Sequence, residues 1–255
     1  MGNSSKILML SAALATSLMA ADQQSTNASP NIPIKNPGNN VNKLLLEAVN
    51  KDSLPDVKAI VQQNAKQLDK YTFIDALSNA ATTGKQAILE WFMSEDNPIK
   101  PDQNTVNLIF MLAAEIGNQA MVEWFLKNSP RKPDPNGIYR AFASAAKAGK
   151  IAILQYLMLN APKGSISQNA VNKVFIESAG AGDQATVYWF LTRSPIKPDQ
   201  NAVNTAFINA FEAGNRSITF LMTANNLLRL KPDQATMSKM FKLYYEEKER
   251  THNKQ

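Results

Sequence analysis

Apolar residues in this chain recur with two periods at once, a short one of three to four residues and a long one of about 33. The short period predicts helices. From Thr105 to Ile116, Val106, Ile109, Phe110 and Ala113 fall at i, i+3, i+4 and i+7, one apolar stripe of an α-helix. Asp102 or Asn104 can cap its start, just after Pro101. Gly117 stops it, because a helix C-cap often needs the left-handed conformation that glycine tolerates. A second helix is expected from Gln119 to Lys127, with a broad apolar face of Met121, Val122, Trp124, Phe125 and Leu126. Ser129 and Pro130 end it, and a polar loop leads into the next cycle.

The long period organises most of the chain. Glycines stand at Gly84, Gly117, Gly149, Gly182 and Gly214, spaced by 33, 32, 33 and 32 residues. Seven residues before each comes Leu77, Phe110, Phe142, Phe175 or Phe207. Seven after comes Trp91, Trp124, Tyr156, Trp189 or Leu221, followed at once by Phe92, Phe125, Leu157, Phe190 or Met222. Agreement over so many columns is the mark of a repeat architecture. The loops between units keep Pro and Asp as turn and capping residues, as in NPIKPDQN (97–104) and SPIKPDQN (194–201). A degenerate unit without the glycine is expected over 41–70, and a closing helix over 233–250. Altered terminal units are what a stack of repeats needs to cover its ends. The reading is all-α: about six helical pairs and a closing helix over 41–250, and a tail over 251–255.

The stretch Ala145-Ala-Lys-Ala-Gly-Lys-Ile-Ala-Ile-Leu-Gln-Tyr-Leu-Met resembles the ankyrin core pattern, and so do Ala113 to Leu126 and Ala80 to Met93. Ser178–Ala179 and Ala210–Phe211 replace the alanine pair in two units. The resemblance covers roughly 41–250 and implies an α-α solenoid of ankyrin-like helix-turn-helix repeats that binds a protein. The Thr-Pro-Leu-His segment of ankyrins is missing. Its place is taken by Leu108-Ile-Phe-Met111 and Thr205-Ala-Phe-Ile208, which read as helix interior. The first helix therefore begins about six residues earlier, near the Pro-Asp, and consumes what ankyrins use as a β-hairpin finger. Little or no β-structure is expected. Tetratricopeptide-like arrays have periods of about 34–35 residues and fit the glycine-centred pattern less well.

Residues 1–21 read as an export signal: Lys6, then an uncharged apolar stretch from Ile7 to Ala20, then small residues before Asp22. The run is short and rich in Ser, Thr and Ala for a membrane span, so none is expected after cleavage. Residues 22–40 are polar, with Pro and Asn, and read as a disordered linker. A secreted or periplasmic location follows. The chain has no cysteine, which removes disulfides, thiolate nucleophiles and Cys-ligated zinc. Its one histidine, His252, is too little for a His triad or a His metal cluster. No phosphate loop, nucleophile elbow or paired carboxylates are present, so no catalytic residue, cofactor or metal is expected.

Three side-chain columns are candidates for function. The Trp/Tyr column (Trp91, Trp124, Tyr156, Trp189) could stack bases or sugars, but beside a second apolar column it reads as core. Ten residues before the glycines stand Asn107, Tyr139, Asn172 and Asn204. They could line a concave face and bind an extended ligand, or form a ladder between neighbouring helices; the ladder is favoured. The loops carry Lys100, Lys132, Lys197 and Lys231, a basic edge for an acidic partner. Interspersed Asp102, Asp134, Asp199 and Asp233 make an ordinary solvated face the stronger reading. The net charge of +6 is spread without a basic run, which argues against nucleic acid.

The expected function is thus an exported monomeric scaffold that binds an unidentified protein. Exported ankyrin-like proteins of this kind resemble host-interaction proteins of bacteria. A periplasmic structural or chaperone-like scaffold and an RNA-binding α-α array are the alternatives, and an enzyme is the weakest reading.

Overall fold

The structure, a computed structural model, describes residues 38–224 and 230–252. The expected export signal and most of the expected linker therefore lie outside the described residues. Everything described is α-helix, turn or loop, with no strand. The chain forms two compact units, 1–105 and 106–255, divided in the first turn of one helix.

The first unit holds α1 (Gly38–Asn50), α2 (Leu54–Asn64), α3 (Lys70–Thr82), α4 (Gln86–Met93) and the first residues of α5 (Gln103–Ile116). α1 begins inside the stretch expected as linker. α1 packs on α2 and on α3, and α4 on α3 and on α2. Leu45, Val49, Val57, Val61, Leu77 and Ile88 are fully buried between them. Phe73 meets Phe92 edge to face at 5.3 Å, the favoured geometry for two ring quadrupoles.

The second unit holds the rest of α5, then α6 (Gln119–Lys127), α7 (Pro135–Lys147), α8 (Ile151–Asn160), α9 (Gln168–Ala181), α10 (Gln184–Thr192), α11 (Gln200–Glu212), α12 (Arg216–Ala224) and α13 (Gln234–His252). Within each pair the two helices pack together, as α7 with α8, α9 with α10 and α11 with α12. Between pairs, first helices meet first helices (α7–α9, α9–α11) and second helices meet second helices (α6–α8, α10–α12). The phenylalanine column is the heart of the core: Phe110, Phe125, Phe142, Phe175, Phe190 and Phe207 have no exposed surface. Phe190 sits edge to face with Phe175 at 5.9 Å and with Phe142 at 6.3 Å, linking two pairs through one ring.

Each pair turns on one residue with positive φ: Gly84 (75°), Gly117 (86°), Gly149 (66°), Gly182 (83°) and Gly214 (75°). At α9 the Gly182 N–H donates to Ala179 O (3.3 Å) and the Asp183 N–H to Ser178 O (3.0 Å), closing the helix on its orphan carbonyls. The degenerate first pair keeps the same turn. Asp52, 32 residues before Gly84, has φ 57°; its N–H donates to Val49 O and that of Ser53 to Ala48 O, both at 3.0 Å. Aspartate is one of the few residues besides glycine that visits this conformation.

First helices start on side-chain caps. Asp69, Asp102, Asp134, Asp199 and Asp233 accept the N–H three residues on at 2.7–2.9 Å, and Ser167 does so at 3.2 Å. Of the two caps expected for α5, Asp102 is the one used. Two effects let the helices start early and displace any hairpin: a proline before most caps, and the cap itself.

The Trp column is core, as its neighbours implied: Trp91, Trp124 and Trp189 are 5%, 9% and 3% exposed, and each packs on the phenylalanine that follows it. Tyr156 is half-buried. Truncation of Trp124 to Ala should cost about 3–5 kcal/mol in denaturant unfolding, the range for large core aromatics. Phe220, which is 71% exposed, should lose no more than about 0.5 kcal/mol on the same change. Equal costs for the two would contradict this assignment of the core.

Candidate functional site

The asparagine column is wired to the caps of the next pair. Asn172 Nδ2 donates to Asp199 Oδ2 at 2.6 Å, and the Asp199 N–H donates back to Asn172 Oδ1 at 3.1 Å. Asn204 and Asp233 repeat the same two bonds at 2.6 and 3.1 Å. Gln168 and Gln200 complete the figure. The Gln168 amide donates to Asn172 Oδ1 (2.9 Å) and to Lys197 O (2.7 Å); that of Gln200 donates to Asn204 Oδ1 (3.0 Å) and Lys231 O (2.8 Å). Asn107, buried to 2% exposure, accepts from the Asp134 N–H at 3.1 Å and also hydrogen-bonds the Asp134 carboxylate. These amides serve as a ladder between neighbouring first helices, the arrangement favoured from the sequence.

The column has a member that the glycine spacing hid. Asn42 lies ten residues before Asp52 and bonds the Asp69 carboxylate while accepting from the Asp69 N–H. Counting back from a glycine could not find it, since the turn residue there is aspartate. Two pairs depart from the pattern. Ile74 holds the position before Asp102, and Lys70, one turn earlier, pairs with that carboxylate at 3.3 Å. Tyr139 holds it before Ser167 and is half-buried, with the Lys173 ammonium 5.9 Å from its ring centre.

The loop lysines cap the helices that precede them. Lys100 Nζ donates to Ser94 O (3.3 Å) and Glu95 O (2.6 Å), and also pairs with the Glu95 carboxylate at 3.0 Å. Lys132 Nζ donates to Leu126 O (2.7 Å) and Lys127 O (2.8 Å) at the end of α6. A cation on the last carbonyls of a helix is placed where the helix dipole favours it. Lys197 is half-buried, and that burial lowers its ammonium pKa. Lys197 and Lys231 also offer their backbone carbonyls to the glutamine amides. Sequence spacing alone shows the lysines aligned, but not that two of the ammonium groups turn back onto carbonyls.

What these contacts leave exposed lies on the second helices. Six residues after each turn glycine stand Glu90, Glu123, Gln155, Tyr188 and Phe220. The first two are half-buried and the last three exposed, Tyr188 by 40% and Phe220 by 71%. The chemistry of this position changes from acidic to aromatic along the chain, while the core columns beside it stay apolar. Reading the sequence for aligned likeness missed it, because its signal is a difference. Among the described residues no group of three or more His, Asp or Glu side chains could hold a metal ion, and no helix is long and apolar enough to cross a membrane.

Two predictions come from the ladder. A Cβ on Gly137, in the first turn of α7, would collide with Asn107 Oδ1. Gly137→Ala should therefore destabilise the chain by about 1–3 kcal/mol, against the gain of about 1 kcal/mol that helix propensity alone would give. A more stable variant would show that Asn107 is free to move. The second concerns acid. The hydrogen bond from the Ala202 N–H, then that from Asn172, hold Asp199 below the usual carboxylate range. The Thr236 N–H and hydroxyl, then Asn204, do the same for Asp233. A lowered folded pKa contributes stability that is complete above the unfolded value of about 3.9 and is lost as pH falls through the folded one. The Asn172→Ala, Asn204→Ala double variant should lose stability less steeply than the parent over about pH 5 to 2. An unchanged slope in urea titrations would exclude the asparagines from that linkage.

Comparison of the chain with protein families, with curated proteins and with solved structures finds no match, so these contacts and columns are what its function must be read from.

Proposed function

We propose that this chain is an exported α-α solenoid of ankyrin-like repeats that binds a protein partner through the exposed face of its second helices. Export rests on the sequence of residues 1–21, and the repeat reading on the glycine period. The packing of first helix on first helix and second on second within 106–255 supports the stacking. A repeat scaffold holds its core columns fixed and varies its surface columns, and specificity resides in the variation. The observation that carries the binding reading is the exposed position that runs Gln155, Tyr188, Phe220. Exposed aromatics offer large contact area at small entropic cost, which is why they are enriched at protein interfaces.

The test is capture from bacterial and host-cell lysates, each with and without nuclease, using the parent chain and a Tyr188→Glu, Phe220→Glu variant. A protein retained by the parent, resistant to nuclease and lost by at least about tenfold in the variant supports the reading, since such central aromatics carry about 2 kcal/mol or more. Recovery of nucleic acid alone, lost at high salt, favours the RNA-binding array instead. Equal capture by both chains would rule out the second-helix face.

A further inference from the structure

The residue just after each turn glycine reads Lys85, Asn118, Lys150, Asp183 and Asn215. Where this side chain is a donor, it can tie its own pair to the pair before it. Lys85 Nζ donates to Val49 O (2.5 Å) and Asn50 O (3.0 Å). Asn215 Nδ2 donates to Ala179 O (3.0 Å) and Gly180 O (2.8 Å). In both cases the carbonyls lie three and two residues before the left-handed residue of the earlier pair. The side chain also covers that residue. A Cβ on Gly182 would lie 3.0 Å from Asn215 Oδ1, and one on Gly117 would lie 3.1 Å from Lys150 Cδ.

Asp183 breaks the column, because a carboxylate cannot donate. Its Oδ1 accepts from the Thr186 N–H at 3.1 Å, and its Oδ2 is buried with no partner. Thr186 Oγ1, on a fully buried residue, is also without a partner. Nothing covers the earlier turn: a Cβ on Gly149 would meet no atom within 4 Å. The carbonyls in register with Asp183 are those of Ala146 and Lys147, three and two residues before Gly149. Ala146, Lys147 and Asp183 all line one cavity of about 330 Å³, and Ala143, Val174 and Ala181 give it apolar walls.

The cavity therefore lies where neighbouring pairs place a hydrogen-bond donor, and it is bordered by a buried carboxylate oxygen and the end of α7. The C-terminal end of a helix carries negative potential, so carboxylate and helix end favour the same guest. A cation with N–H donors satisfies both, and the apolar walls suit an alkyl chain behind it. A bare metal ion fits poorly, since a hard cation takes about six to eight oxygen ligands. We propose that this cavity binds a primary alkylammonium group on Asp183 Oδ2 and the carbonyls of Ala146 and Lys147, the counterpart of the Lys85 ammonium in its own pair. The group belongs either to a free amine or to the end of a lysine side chain on another protein. This site is separate from the exposed second-helix column.

The full-length chain is titrated with n-butylammonium, with Nα-acetyl-lysine methylamide and with n-butanol, following the Asp183 and Thr186 amide resonances by NMR. Saturable shifts with a Kd of about millimolar are expected for n-butylammonium and none for n-butanol. Binding of the lysine derivative as well assigns the site to lysine side chains; binding of n-butylammonium alone assigns it to free amines. Shifts of equal size with n-butanol, or no saturation with n-butylammonium, overturn the proposal. Asp183→Asn should weaken n-butylammonium at least about tenfold, as loss of a charge-assisted partner does. Asp183→Lys should fill the cavity from within, raising Tm by about 2–4 °C and abolishing amine binding. A folded Asp183→Lys chain that still binds n-butylammonium as the parent does also overturns it.

Discussion

An aspartate at the start of each of these first helices, with serine once in its place, is the contact on which the repeat depends. One carboxylate oxygen of Asp199 closes the open end of its own helix and the other takes the Asn172 amide from the pair before, while its N–H returns a bond to the same asparagine. Capping and stacking are thus one event. A helix that starts one residue late loses its cap and its neighbour together. The apolar core alone cannot impose that exactness, since hydrophobic attraction is non-directional and tolerates small slides.

The phenylalanine column supplies the bulk of the stabilisation and the hydrogen-bonded ends supply the register. Phe175 and Phe190 are fully buried, whereas Asn172 and Asn204 are half-buried and their bonds lie partly in solvent. A net hydrogen bond of this kind contributes about 1 kcal/mol, less than a buried aromatic ring. The second helices follow the same economy. Their C-terminal carbonyls are met by Lys100 and Lys132 from the loops that follow, and by the buried Asn97, whose amide donates to Phe92 O at 2.7 Å and Ile99 O at 2.6 Å.

Most of this fold was legible in the sequence, because it rests on local rules repeated in register. The Gln119–Lys127 helix has the bounds read from its apolar face and flanking breakers, and α5 differs from its expected start by two residues. What escaped is what depends on three-dimensional reach. Lys132 is aligned with other lysines in the sequence, yet only the fold shows its ammonium turned onto Leu126 O. Asn42 was hidden because Asp52 does the work of a glycine. Asp183 was hidden among capping residues, and its buried oxygen acquires meaning only beside the Lys85 and Asn215 contacts.

The two exceptions in the asparagine column have a further consequence. Near-identical units risk pairing with the wrong neighbour as the chain collapses, much as a zipper can close one tooth out of line. Tyr139 followed by the Ser167 cap interrupts the Asn–Asp sequence between Asn107 and Asn172. A slip by one unit would set the Asp199 carboxylate against the Tyr139 ring and leave Asn107 facing a serine. Each mismatch forfeits about one hydrogen bond. Irregularity of this kind marks position along an otherwise uniform array, and it guards the chain against exchanging units with another copy of itself.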